Sequence, residues 1–211
     1  MRAISAGVLC AVLVGTAALA DDDTPPPMIV MPASESCAPS PQLSGAIVVP
    51  AGDDAKAAID ATAARCMKDS TGAGLYQVFA LPTYDKPAIV TVASVPVGHG
   101  ILFPLITILD ATGKVTRQIA PGAAMFRGGD LAAVFRLHPG DTFMVVESDP
   151  AHVGQSVSRV QESTHVTPIG IVTATMFAYT AIHTGSDETS TLTYSLNGRV
   201  IVSAAAISPS N

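Results

Sequence analysis

From residue 75 onward, apolar and polar positions along this chain mostly alternate, which is the period of a half-buried β-strand. Residues 75–81 (LYQVFAL) read as a strand that stops at Pro82. Residues 89–95 set Ile89, Val90 and Val92 against Thr91 and Ser94. Residues 101–109 are a nearly continuous apolar run, the pattern of a strand buried on both faces. Asp110-Ala111-Thr112-Gly113 then signals a hairpin turn, with residues 114–119 as the return strand. Residues 131–137 and 142–147 are two further strands. They are joined by His138-Pro139-Gly140-Asp141, whose Pro-Gly pair suits the centre of a type II turn. Residues 166–182 carry no charge. With Pro168, Gly170 and several threonines, that stretch reads as one or two strands and not as a membrane-crossing helix. Residues 189–195 and 199–203 flank Asn197-Gly198, the strongest short hairpin signal in the chain.

Upstream the pattern changes. Residues 45–49 form a short apolar strand ended by Pro50. Residues 53–68 then predict one α-helix. Asp53 and Asp54 suit its N-cap and first turn, and alanine, the best helix former, is abundant. Ile59, Ala63, Cys66 and Met67 fall on one helical stripe, and Gly72 and Gly74 follow it. The expected fold is mainly β: an antiparallel β-sandwich of about nine strands with one N-terminal α-helix. No internal repeat of about 20–50 residues is visible.

The N-terminus places the protein. Met1 and Arg2 precede an apolar run over residues 3–19, and Ala18-Leu19-Ala20 is followed at once by Asp21-Asp22-Asp23. This is the form of a cleaved secretory signal peptide, with cleavage between Ala20 and Asp21. The run is short for a membrane anchor, and Cys10 lies in its middle instead of at its end, which argues against lipidation. The expected organisation is a signal peptide over residues 1–20, an extended proline-rich arm over 21–45, and a helix-plus-sandwich domain over 46–211. Cleavage leaves two of the three cysteines, Cys37 and Cys66. In an exported chain an even count reads as a disulfide, here one that staples the arm to the body.

Charge removes some partners. The chain carries 11 Lys and Arg against 17 Asp and Glu, a net charge of −6 at neutral pH. That balance has no electrostatic footprint for nucleic acid or anionic lipid. No transmembrane segment is expected after cleavage.

The central block resembles a known family. Residues 75–82 (LYQVFALP) are followed by Phe103-Pro104, then Ile106, Leu109 and Asp110. Phe126-Arg127-Gly128-Gly129 leads to Leu131, and residues 142–146 (TFMVV) precede Val153-Gly154-Gln155. This order resembles the maltose operon periplasmic protein (MalM-like) family over about residues 75–157, with weaker agreement near 183–203. The resemblance implies a soluble periplasmic protein tied to maltose or maltodextrin uptake. It supplies no catalytic residues. The cysteine pair lies outside the family pattern.

The side-chain chemistry points away from catalysis. No Gly-x-Ser-x-Gly elbow is present, and Gly154-Gln155-Ser156 does not become one. Glu147, Asp149 and His152 match no calcium or zinc spacing and read as a polar loop at a strand end. His99 and His138 read as turn residues. No catalytic residue, metal or cofactor is assigned. A sugar site uses an aromatic ring with planar polar groups, yet tryptophan is absent, and Tyr76, Phe79, Phe135 and Phe143 fall in strand patterns. Tyr84, Phe126 and Arg127 remain as candidate ligand contacts, because they read as loop positions. The expected function is a non-catalytic periplasmic accessory protein of maltodextrin uptake, a binding or interaction module whose partner is maltodextrin or a periplasmic or outer-membrane protein. The alternative is a cell-envelope assembly or structural protein unrelated to sugar.

Overall fold

A computed structural model describes residues 37–60, 65–68, 72–127, 129–173 and 176–207, with the backbone alone described over 160–188. The described residues hold fourteen strands. In chain order they are β1 (Ile47–Val48), β2 (Asp54–Ile59), β3 (Arg65–Lys68), β4 (Ala73–Ala80), β5 (Ala88–Val95), β6 (Gly100–Leu102) and β7 (Pro104–Leu109). They continue as β8 (Val115–Ile119), β9 (Ala124–Arg127), β10 (Asp130–Arg136), β11 (Phe143–Ser148), β12 (Ser156–Thr173), β13 (Met176–Ser195) and β14 (Gly198–Ala206). The protein is thus mainly β, with several antiparallel sheets.

One sheet has the order β1-β4-β11-β7-β8, with β3 also paired to β4. The second runs β2-β14-β5-β10-β9, and the third β12-β13-β6. Alternation explains which faces are buried. On β5, Ala88, Val90, Val92 and Ser94 are buried while the intervening residues are half-buried. Val90 and Val92 join Ile59, Val200 and Val202 of the second sheet in a single cluster with Leu75, Phe79, Ile106, Ile108, Met144 and Val146 of the first. Removing each such side chain from water stabilises the fold by about 1.5–3 kcal/mol.

The expected helix over 53–68 is not formed: residues 54–59 are β2 and residues 65–68 are β3. The cause lies in the same alanines. Ala55, Ala57 and Ile59 are buried and Asp54, Lys56 and Ala58 exposed, so period two fits this stretch as well. Pairing of Ala57 with Val200 and of Ala55 with Val202 places that face on the core. Tertiary pairing outweighs a helix propensity worth only tenths of a kcal/mol per residue.

Two other expectations change. Residues 101–109 are not one strand. They divide at Phe103 into β6, which pairs with β13, and β7, which pairs with β11 and β8. Asn197-Gly198 does not close a hairpin either. β13 pairs with β12 and β6, while β14 pairs with β2 and β5, so these residues turn a corner between sheets. Gly198 is needed there for space: a Cβ would lie 2.6 Å from Leu102 Cβ.

The turn at 110–113 forms as read. Asp110 Oδ1 accepts hydrogen bonds from the Thr112 and Lys114 amides and the Thr112 hydroxyl, and Gly113 takes φ +84°. At 138–141 the Asp141 amide donates to the His138 carbonyl and Gly140 has φ +92°, as a type II turn requires.

The described end of the arm is docked. Cys37 and Cys66 form a disulfide with Cα atoms 4.8 Å apart. Beside it the Ala38 amide donates to the Cys66 carbonyl and the Lys68 amide to the Ala38 carbonyl. Further along, the Gln42 amide donates to the Tyr76 hydroxyl, and Leu43 packs on a smaller cluster with Tyr76 and Val145. The leader, the cleavage pair Ala20 and Asp21, and the arm up to residue 36 lie outside the described residues. No helix among the described residues is long and apolar enough to cross a membrane. With the disulfide, this is compatible with an exported protein.

Candidate functional site

The loop leaving β4 and the turn leaving β10 meet at one end of the fold. The loop is held at both sides: the Leu81 amide donates to the Thr142 carbonyl, and the Ile207 amide to the Pro87 carbonyl. Pro82 and Pro87 fix φ and stiffen the segment between them. Tyr84, midway, packs its half-buried ring against the main core, and its hydroxyl donates to the Ala204 carbonyl at 2.6 Å.

The turn is fixed by charge. Arg117 reaches from β8 and donates through Nη2 to Asp141 Oδ2 and to the Arg136 carbonyl, both at 2.6 Å. Its Nη1 lies 3.2 Å from His138 Nε2, and its guanidinium lies 5.7 Å from the centre of the Phe135 ring. Asp141 also accepts from the His138 amide, and its side chain is only 3% exposed. A carboxylate so enclosed is fixed in position by charge-assisted hydrogen bonds.

Between loop and turn lies a cleft of about 500 Å³. Tyr84, Asp85, Lys86, Arg136, His138 and Asp141 are among its walls. The size is that of small-molecule sites, which run to about 300–1,000 Å³. The walls combine an aromatic ring with planar guanidinium and carboxylate groups and an ammonium. The exposed Asp85, Lys86 and Arg136 can accept from or donate to a polyhydroxylated ligand, and the two cations can meet an anionic one, while Asp141 is already held by Arg117 and the His138 amide.

Of the three candidate ligand contacts, the cleft includes Tyr84 alone. Phe126 and Arg127 are strand residues of β9, with Phe126 opposite Leu131 at the start of β10, whereas the cleft lies at that strand's other end, from Arg136 on. The strand alternation separates them. Phe126 is half-buried against Ile101, Leu131 and Leu192, and Arg127 points outward with Nη2 3.4 Å from Met125 Sδ. The residues that join Tyr84 (Asp85, Lys86, Arg136 and Asp141) had one visible signal, the turn-rich segments at 82–87 and 138–141 that hold most of them.

Glu147, Asp149 and His152 form a strand end and turn. Asp149 Oδ1 accepts from the Ala151 amide, and its Oδ2 lies 2.6 Å from His152 Nδ1. The His152 ring stacks on Phe103 at 4.0 Å, with Tyr194 edge-on to both. Burial pushes the Tyr194 phenol above its ordinary pKa. Among the described residues, no group of three or more His, Cys, Asp or Glu is arranged to hold a metal. His99 is exposed in the turn at 98–99, and its carbonyl accepts from the Thr193 amide.

No family model matches the chain, and neither does any curated protein or solved structure. The likeness to the maltose operon periplasmic proteins rests on the ordered residues alone.

Proposed function

We propose that this chain is an exported, periplasmic β-sandwich that acts as a binding module and not as an enzyme, with the Tyr84–Arg136–Asp141 cleft as its ligand site. The cleft carries the reading, because it joins an aromatic wall to charged planar groups on a rigid frame. The core shared by the two larger sheets supports the sandwich. The leader and the Cys37–Cys66 bridge support export. The ordered central motifs favour a short maltodextrin as the ligand, in an accessory role in its uptake.

Calorimetry of the purified protein with maltotriose tests this. Saturable heat is expected, weakened roughly tenfold or more by Arg136→Ala through loss of a charged hydrogen-bond donor. No heat at millimolar sugar would overturn the maltodextrin reading. A second reading, envelope assembly unrelated to sugar, is favoured by the long β12–β13 ribbon. Among the described residues, that ribbon pairs with no strand but β6, at Thr193–Ser195. Sugar-independent capture of outer-membrane proteins would favour it.

A further inference from the structure

β12 and β13 pair without interruption from Ser156–Thr193 to Thr173–Met176. Among the described residues, β12 has no other partner, and β13 pairs elsewhere only with β6 over Thr193–Ser195. The outer part of this ribbon therefore offers two open strand edges.

Its sequence has a sharp boundary. Residues 163–186 contain no Asp, Glu, Lys or Arg. The pair Ser163–Ser186 begins the uncharged zone, and the pairs Glu162–Asp187 and Gln161–Glu188 bracket it with acid. Each strand contributes about 11 uncharged residues, the number a tilted membrane-crossing strand needs. At about 3.4 Å per residue they extend about 37 Å. Tilted by about 45° they cross about 26 Å, close to the apolar band of a transmembrane barrel.

The register also sorts the residues. Ser163, His165, Thr167, Ile169, Ile171 and Thr173 share a face with their partners Ser186, Thr184, Ile182, Thr180, Ala178 and Met176, a set rich in Ser and Thr. The other face takes Val166, Pro168, Gly170 and Val172 with Ala181, Tyr179 and Phe177, together with Thr164, Gly185 and His183. The first face also carries Ile169, Ile171, Ile182, Ala178 and Met176, so it is mixed, and the second is the more apolar of the two, the one that would meet lipid in a barrel wall. A lone hairpin cannot cross a bilayer, because its edges would leave backbone groups unpaired. Copies of the same hairpin would close both edges.

We propose that β12 and β13, over residues 163–173 and 176–186, cross a membrane as a β-hairpin, closed into an oligomeric barrel by the same hairpin of other copies of this chain. This departs from the expectation of no transmembrane segment. It is independent of the cleft.

The test uses the purified exported chain and phosphatidylcholine vesicles loaded with a self-quenching dye, a neutral surface that does not repel the acidic bracket. Dye release is expected, with Val172→Lys reducing it roughly tenfold or more because it charges the apolar face. Single cysteines, Val172→Cys and Thr173→Cys, labelled with an environment-sensitive fluorophore, guard against misfolding of the charged variant. The label at 172 should be quenched by lipid-chain nitroxides and the label at 173 should not. Absence of release, release unchanged by Val172→Lys, or labels at both positions facing water would each overturn the proposal.

Discussion

Removing the disulfide should weaken the fold by a predictable amount. The perturbation is the double substitution Cys37→Ser and Cys66→Ser. The bridge spans a sequence separation of 29, between the docked arm and β3. For a closed loop of that length, chain entropy gives about 12 cal/mol/K, or about 3.6 kcal/mol at 25 °C. The hydrogen bonds between Ala38 and β3 stay available in the variant, so the arm can still dock. The loss should appear as stability and not as a new fold. For a chain of this size it lowers the melting temperature by about 7–14 °C. Urea unfolding followed by circular dichroism, on wild type and variant, measures it. Exchange of the Gln42 amide, bonded to the Tyr76 hydroxyl, should also quicken as the arm loosens. A variant within about 1 kcal/mol of wild type would refute the entropy reasoning. Alkylation of both thiols in the native protein would refute the bridge itself.

Gly198→Ala should cost about 1–3 kcal/mol of stability and so lower the urea midpoint, since its Cβ would lie 2.6 Å from Leu102 Cβ with little room to move; an unchanged midpoint would contradict that packing. Ser94 is fully buried and its hydroxyl has no partner among the described residues, so Ser94→Ala should be neutral or stabilise by about 1 kcal/mol, and a clear loss in the same assay would mean that the hydroxyl has a partner. The Asp110 carboxylate is held below its ordinary pKa of 3.8, first by the Thr112 hydroxyl and then by the Lys114 amide. Its folded value being depressed, it supports the turn above pH 3.8 and releases it as pH falls through the lower value. Carboxyl NMR should place its midpoint below 3.8, and a midpoint at or above that would remove the turn's hydrogen bonds from the account.

Much of the strand pattern was legible because alternation and turns agree locally. β4, β5, β8, β10 and β11 lie close to where their apolar positions put them, and the turns at 110–113 and 138–141 follow from their own residues. The region around residues 53–68 fits helix and strand alike, because alanine is apolar at either period. Only the β14 pairing decides which period counts. At Asn197-Gly198 a local hairpin signal was overridden by the partners available to each strand, which lie in different sheets. The cleft is only partly legible in the sequence: Tyr84 reads as a loop aromatic, but Arg136 sits on β10 and Arg117, which holds Asp141, on β8, and pairings between distant segments bring them to this end. Gly128-Gly129 makes Phe126 and Arg127 read as a loop like Tyr84, while their own alternation fits the strand they form.

Amide chemical shifts recorded during a maltotriose titration test the binding-module account most directly. Perturbations confined to residues 82–88 and 136–141, saturating together and absent from residues 124–127, are the predicted result. Shifts absent throughout, or concentrated on Phe126 and Arg127, would contradict it.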